Sequence, residues 1–293
     1  MRAVFIGTVE FSATLLEVLL EHPDTELVGL ITRERSTANA DHQDLTPLVR
    51  DAGCPVFTGD DIEAMTDWIR ARRPDVVFCL GWSRLLPATL LAIPPMGVIG
   101  YHPAALPENR GRHPIIWTLA LGLSQTASTF FLMDEGADSG DILSQEVVPV
   151  ADDDDAASLY RRLCEVARKQ LVTLIHDLAG KTLCRIPQDH TQASYWRKRT
   201  PKDGRIDWRM PAKGIYNLVR ALTRPYPGAH FEYEDRDVKV WRARLVHHDQ
   251  PDIEPGKILA TDGGRMTVKC GVAAIDLLEH ELRVPPGEGE YLS

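Results

Sequence analysis

His102 and Asp138 are the residues whose type and placement best suit chemistry. The segment Gly97-Val98-Ile99-Gly100-Tyr101-His102-Pro103 runs from an apolar stretch straight into an imidazole and a proline. Such a run suits a buried parallel strand. The histidine then stands at the carboxyl end of that strand, where open α/β sheets bind ligands. An imidazole in such a crevice can exchange a proton near neutral pH. The segment Met133 to Asp141 offers a carboxylate, Asp138, from a different loop. A carboxylate beside an imidazole orients the ring and favours its charged form. The pair points to acid/base chemistry rather than packing. Asn109, Arg110 and His113 share the loop after His102 and add an amide, a fixed cation and a second imidazole.

The elements that must position these groups alternate along the first half. Apolar runs at Ala3–Ile6, Glu26–Thr32, Val76–Leu80, Gly97–Tyr101 and Ser128–Met133 read as strands. Between them, Phe11–Leu20, Asp44–Asp51, Asp61–Arg72 and Pro114–Leu121 read as helices, with Leu15, Leu16, Leu19 and Leu20 on one face of the first. This alternation implies a mainly parallel sheet covered by helices, an α/β fold. A long helix follows over Ala156–Leu178 and a shorter one over Ala212–Leu222. Short strand candidates at His230–Tyr233, Val238–Arg242, Lys257–Ala260, Met266–Lys269 and Ala273–Leu277 are separated by Asp, Gly and Pro turns, as in a small antiparallel barrel. The expected domains are 1–190 and 205–293, joined by a linker over 191–204.

Two further loops fall at strand ends. Gly7-Thr8-Val9-Glu10-Phe11 lacks the glycine spacing of a dinucleotide site. It reads equally as a tight turn or as a substrate-contacting loop through Thr8, Glu10 and Phe11. Gly81-Trp82-Ser83-Arg84-Leu85-Leu86-Pro87 could hold a flat heterocycle, with backbone groups on its polar edge and apolar side chains on its face, or could simply pack. The run Asp152–Asp155 reads as a cap on the helix that follows, because negative charge suits a helix N-terminus. Four consecutive Asp residues cannot all converge on one metal ion.

Composition bounds the partners. The chain has 293 residues, is 44% hydrophobic and carries a formal net charge of −9. Nucleic-acid backbones are held by clustered Lys and Arg, so this balance disfavours them as the main partner. The five cysteines have no metal-ligand or disulfide-framework spacing, and Cys79 reads as a small buried hydrophobe. A reducing, cytoplasmic setting is expected. The first residues read as a strand rather than a signal peptide, and no stretch approaches the roughly 18 apolar residues of a membrane span.

The combination of motifs resembles the 10-formyltetrahydrofolate-dependent formyltransferases. It comprises His102-Pro103-x-x-Leu106-Pro107-x-x-Arg110-Gly111, then Trp117, Gly122 and Thr126, then Met133-Asp134-x-Gly136-x-Asp138-x-Gly140-Asp141-Ile142. The Gly7-Thr8-x-x-Phe11 opening and Leu86-Pro87 match too. Arg199-Thr200-Pro201-x-Asp203-Gly204-x-Ile206-Asp207-Trp208, Asn217-Leu218-x-Arg220 and Pro225 to Ala229 are similar to the carboxyl part of the aminoarabinose and methionyl-tRNA branches. The resemblance spans residues 1 to about 275. It implies a Rossmann-like formyltransferase domain followed by an OB-like barrel, with N10-formyltetrahydrofolate as co-substrate and no metal.

The family's triad is Asn-x-His…Asp. His102 and Asp138 match, but the Asn position is Gly100. Loss of one oxyanion donor typically costs about 10²–10³ in rate. Asn109 is the expected substitute, with water or a backbone N–H as alternatives. Trp82, Ser83, Leu85, Leu86, Pro87, Asp134, Gly136 and Ala137 are the expected pterin contacts. Thr8, Glu10, Phe11, Arg110, Arg199, Asn217 and Arg220 are the expected acceptor contacts. The resemblance suggests a nucleotide-linked amino sugar as acceptor, because the stretch Thr32–Asp44 lacks a Gly/Lys/Arg-rich loop that would approach a tRNA. Initiator methionyl-tRNA, a hydroxyornithine-type amine and a non-catalytic folate-binding role are the alternatives. The small barrel could carry a homodimer contact or close the substrate site.

Overall fold

The computed structural model describes residues 1–35, 40–248 and 250–292. Contacts divide the chain into two compact units. One is Met1–Pro114 with Thr126–Val148 and Arg161–Trp196, and the other is Ile115–Gln125 with Pro149–Tyr160 and Arg197–Ser293.

In the first unit, β1 (Arg2–Ile6) is the central strand, and Ala3, Val4, Phe5 and Ile6 are fully buried. A strand covered on both faces must be apolar at every position, which is why this run does not alternate. It pairs in parallel with β2 (Glu26–Thr32) on one side and β4 (Val76–Cys79) on the other. Helix α1 (Glu10–Glu21) connects β1 to β2, with Leu15, Leu16 and Leu19 buried. Short α2 (Thr46–Val49) precedes β3 (Val56–Thr58), which pairs in parallel with β2. Helix α3 (Ile62–Arg72) starts on Asp61, whose Oδ1 accepts the Glu63 and Ala64 N–H groups at 3.0 and 3.1 Å. That is an N-cap, satisfying donors the helix cannot.

After β4 come α4 (Ala88–Leu91) and β5 (Val98–His102), again parallel to β4. Then follow β6 (Arg110–Gly111), α5 (Pro114–Ala120), β7 (Gln125–Leu132), β8 (Ile142–Pro149), α6 (Ala156–Gly180) and β9 (Tyr195–Trp196). The main sheet has seven strands in the order β3-β2-β1-β4-β5-β7-β8. β7 runs antiparallel to β5, pairing Gly100 with Phe131 and His102 with Thr129. The sheet is therefore mixed, with the parallel part expected from the sequence at its centre. Chain order reverses between β1 and β4. The crevice outside the carboxyl ends at such a switch point is where ligands bind in open α/β sheets.

The second unit holds α7 (Ala212–Leu222) and a five-stranded antiparallel sheet. Its strands are β10 (Ala229–Tyr233), β11 (Arg236–Val246), β12 (Ile258–Asp262), β13 (Arg265–Lys269) and β14 (Ala274–His280), in the order β10-β11-β14-β13-β12. This is consistent with a small barrel. Buried Trp208 meets Phe231 edge-on at 5.4 Å between ring centroids.

The Asp152–Asp155 run is used locally. Asp155 Oδ1 accepts the Ser158 N–H at 2.8 Å, and Asp154 Oδ2 accepts the Ala151 N–H at 2.7 Å. Asp152 pairs with Lys213 at 2.9 Å, which lowers its carboxyl below the usual range. All five cysteines are free, and burial pushes the Cys79 thiol up to about 12. Among the described residues no helix is long and apolar enough to cross a membrane.

Phe5 lies opposite Leu30 on one side and Phe78 on the other, and all three are fully buried. Phe5→Ala is expected to cost about 3–5 kcal/mol in chemical unfolding, the range for a large aromatic removed from a packed core.

Candidate active site

β5 is fixed by β4 and β7, and it delivers His102 to the sheet's edge-of-strand crevice with 4% of its surface exposed. The loop after it turns back through Asn109, whose φ is 60°. Left-handed backbone is tolerated best by Gly, Asn and Asp. This turn places the Asn109 carbonyl 2.8 Å from His102 Nε2. A carbonyl can only accept, so Nε2 carries a proton here. On the other side of the ring, Nδ1 lies 3.5 Å from Asp138 Oδ2. Both ring nitrogens thus face acceptors, an arrangement complementary to an imidazolium.

Asp138 also has a left-handed backbone, with φ 53°. Its Oδ2 accepts the Gly111 N–H at 2.8 Å. The turn that presents it is tightly determined. Asp134 Oδ1 accepts the Gly136 N–H at 3.0 Å and the Ser139 hydroxyl at 2.6 Å. A Cβ on Gly140 would stand 1.8 Å from the Leu132 carbonyl oxygen, so no other residue fits there.

Among the described residues the Asn109 side chain makes no hydrogen bond to His102. Its Oδ1 lies 3.4 Å from the Ser194 hydroxyl, and its backbone N–H donates to the same hydroxyl at 2.8 Å. Gly100 stands on the His102 face of β5, opposite Phe131. A Cβ there would meet Phe131 Cζ and Met133 Cγ, each at 2.9 Å. The space of the family's Asn side chain is therefore filled from β7 and its following loop.

The remaining expected contacts fall into three groups. Around the β4 loop, Leu85 is 61% exposed, whereas Leu86 is buried in the core with Val4, Ile6 and Leu90. Trp82 carries Arg33 over its ring at 4.6 Å, and its indole N–H is buried with no hydrogen-bond partner among the described residues. The Ser83 carbonyl accepts from Arg112 at 2.7 Å, and Pro87 precedes α4. Ala137 is half-buried beside Asp138. Near β1, Thr8 is buried with its hydroxyl donating to the Gly81 carbonyl at 3.2 Å. Phe11 is buried against Tyr101 at 4.3 Å, and Glu10 is exposed at the start of α1.

Arg110, Arg199, Asn217 and Arg220 are engaged by the protein itself. Arg110 is 1% exposed and donates to Gln188 Oε1 at 2.7 and 3.2 Å, to the Tyr195 hydroxyl at 2.9 Å and to His190 Nδ1 at 3.2 Å. The other three belong to the second unit. Arg199 lies over the Trp117 ring at 4.6 Å and donates to the Asp203 carbonyl. Arg220 is buried, bonded to Asn217 Oδ1 at 2.9 Å and to the carbonyls of Ala151 and Asp154 at 3.1 and 3.0 Å.

Sequence reasoning missed Gly111, Gln188, Ser194 and Tyr195. The segment expected as a connector carries β9, which pairs in parallel with β6. Two-residue strands leave no periodicity to read. Among the described residues no group of three or more His, Cys, Asp or Glu could hold a metal ion.

Residues 1–175 match the family model described as "Formyl transferase", and residues 198–284 match "Formyl transferase, C-terminal domain". The methionyl-tRNA formyltransferase of Acidithiobacillus ferrooxidans is 34% identical over 98% of this chain and 92% of its own length. Among solved structures, an N-formyltransferase from Helicobacter canadensis, in complex with folinic acid and dTDP-3-aminofucose, has a TM-score of 0.71 at 15% identity. The match covers 94% of this chain and 98% of that one. HypX from Aquifex aeolicus has a TM-score of 0.69 at 17% identity over 97% of this chain, which spans 46% of HypX. These distant structures share the fold. By the model match and the relative at 34% identity, the chain is an enzyme of the formyl transferase family, which takes its formyl group from N10-formyltetrahydrofolate.

Proposed function

We propose that this enzyme formylates the amine of a nucleotide-linked amino sugar, with His102 and Asp138 carrying the proton transfer. The observation that carries the catalytic part is the imidazole held between the Asp138 carboxylate and the Asn109 carbonyl. The folate supplies the electrophilic formyl carbon. The buried Trp82 indole N–H, without a partner among the described residues, and exposed Leu85 in the β4 loop fit a flat ring with polar edges. The acceptor nitrogen bonds to the formyl carbon, and the bond from that carbon to N10 breaks. The nitrogen sheds one proton and N10 gains one. As the amine displaces the Asn109 carbonyl from Nε2, the ring proton moves to Nδ1, facing Asp138; the bare Nε2 takes up the first proton, and the Asp138 carboxylate holds the resulting charge.

The choice of a sugar nucleotide over tRNA rests on charge. The net charge is −9. In the stretch Thr32–Asp44, Arg33 is already paired with Asp60 at 3.0 Å and covers Trp82, and residues 36–39 lie outside the described residues. A phosphate backbone needs clustered, uncommitted cations. The 34% identical relative favours a second reading, initiator methionyl-tRNA.

A turnover screen separates them. The protein is incubated with N10-formyltetrahydrofolate and nucleotide-linked 3-amino and 4-amino sugars, methionyl-tRNA or hydroxyornithine, and mass spectrometry reads the gain of one formyl group. A formylated sugar is expected. Formylated tRNA or hydroxyornithine would replace the sugar reading, and folate binding without turnover on any amine would overturn the enzymatic one. His102→Ala is expected to lower kcat by about 10²–10⁴-fold with little change in folate affinity, the usual contribution of a general base. Gly100→Asn is expected to destabilise by about 1–3 kcal/mol, because the new side chain overpacks Phe131 and Met133. It should leave kcat/KM no higher; a clear gain in rate would show that the missing amide limits turnover.

A further inference from the structure

We infer that Gln188, which lies between the two family-matched segments, is a positioning residue for the His102–Asp138 pair. The inference rests on the catalytic reading above for its effect on rate, but its geometry stands alone. Gln188 is 7% exposed and all its hydrogen-bonding capacity is used. Nε2 donates to the carbonyls of Asp138 at 2.9 Å and Gly140 at 2.6 Å. Oε1 accepts twice from the Arg110 guanidinium, at 2.7 and 3.2 Å. The amide orientation is therefore fixed, since the donors must face carbonyls and the acceptor must face the arginine.

This one side chain links the two loops that meet at the histidine. On the histidine side, the Asp138 carboxylate holds Gly111 N–H and His102. Behind them, Gln188 ties the Asp138–Gly140 turn to Arg110, the residue between Asn109 and Gly111. The same strip of chain continues the clamp. The Ser194 hydroxyl accepts the Asn109 N–H, the Ser194 carbonyl accepts the Arg110 N–H at 2.9 Å, and the Trp196 carbonyl accepts the Arg112 N–H at 3.0 Å. The Asp138 backbone is left-handed, and such a residue persists only where its surroundings over-determine it. Gln188 supplies two of those determinants.

The test uses the full chain with Gln188→Met and Gln188→Glu. Methionine conserves volume and removes every bond. Glutamate keeps an acceptor for Arg110 but loses both donors to the carbonyls. Thermal melting and circular dichroism check folding, and Gln188→Glu is the variant that retains the Arg110 contact. In Gln188→Glu we expect kcat to fall by up to about 10²-fold, the scale of a small misplacement at a catalytic centre, with the KM values largely unchanged. We also expect the ring-nitrogen NMR resonances of His102 to change, which a merely structural role elsewhere would not cause. Unchanged His102 resonances, or changed resonances with wild-type kcat, would overturn the inference. Should the wild-type chain formylate none of the amines, altered His102 resonances would uphold the positioning role, and the catalytic reading alone would fail.

Discussion

The Asp138 carboxylate is where two separate stretches of chain are joined. One oxygen, Oδ2, takes the Gly111 N–H and faces the His102 ring. Everything around it serves to put that oxygen in one place. The Asp134 side chain closes the turn before it, and the Gly140 backbone passes so close to Leu132 that a Cβ is impossible. Left-handed backbone at a non-glycine residue costs about 1–3 kcal/mol. The turn sustains that cost because the Leu132 N–H to Asp141 carbonyl bond at 2.9 Å anchors it to the sheet. The geometry of the His102–Asp138 pair is thus set by backbone constraints on a loop, with the sheet as its fixed reference.

Arg110 shows why charge type alone does not indicate function. A guanidinium at the mouth of a crevice would suit an anionic substrate. Here it is buried, and its partners are the uncharged Gln188 and Tyr195 and the ring of His190. Burying a charge is costly unless its donors are hydrogen-bonded. The planar fork, with five N–H donors, meets that condition and braces three side chains of one strip at once. Turning outward to meet a ligand would forfeit all of it. Arg220 repeats the pattern in the second unit, where it satisfies the Ala151 and Asp154 carbonyls just before α6.

The core strands and the His–Asp pair were legible for the same reason. β1, β2, β4 and β5 are buried on both faces or nearly so, and that environment forces apolar runs that stop where the crevice begins. His102 stands at such a stop, and Asp138 lies in the loop that follows β7. An apolar run carries no direction, so the antiparallel setting of β7 was not readable. β8 was missed because Ser144, Gln145 and Glu146 interrupt it on a partly exposed edge. β6 and β9 are too short for any pattern, and with them went Gln188 and Ser194, whose importance comes from what they meet across 78 and 85 residues of chain. Phe11 and Leu86 were expected at a ligand and are found in the interior, since an apolar side chain in a loop reads alike in either place.

Gly100 and Phe131 are best understood as one feature. They oppose each other across the β5–β7 ladder, so whatever stands at one decides the room at the other. An aromatic ring leaning over a bare glycine covers backbone that would otherwise be exposed on that face. The consequence is chemical. On the catalytic reading proposed above, an oxyanion beside His102 would meet an apolar wall at position 100, and its donors would come from a neighbouring loop. The Asn109 and Gly111 N–H groups are already committed to Ser194 and Asp138. The Asn109 side-chain NH₂ makes no hydrogen bond among the described residues, while its Oδ1 rests against Ser194. Its backbone is pinned on both sides, by the ring of His102 and by the Ser194 hydroxyl that accepts its N–H. On that reading, a donor on a loop held this firmly would need little reorganisation to act, which is the property that makes an oxyanion donor effective.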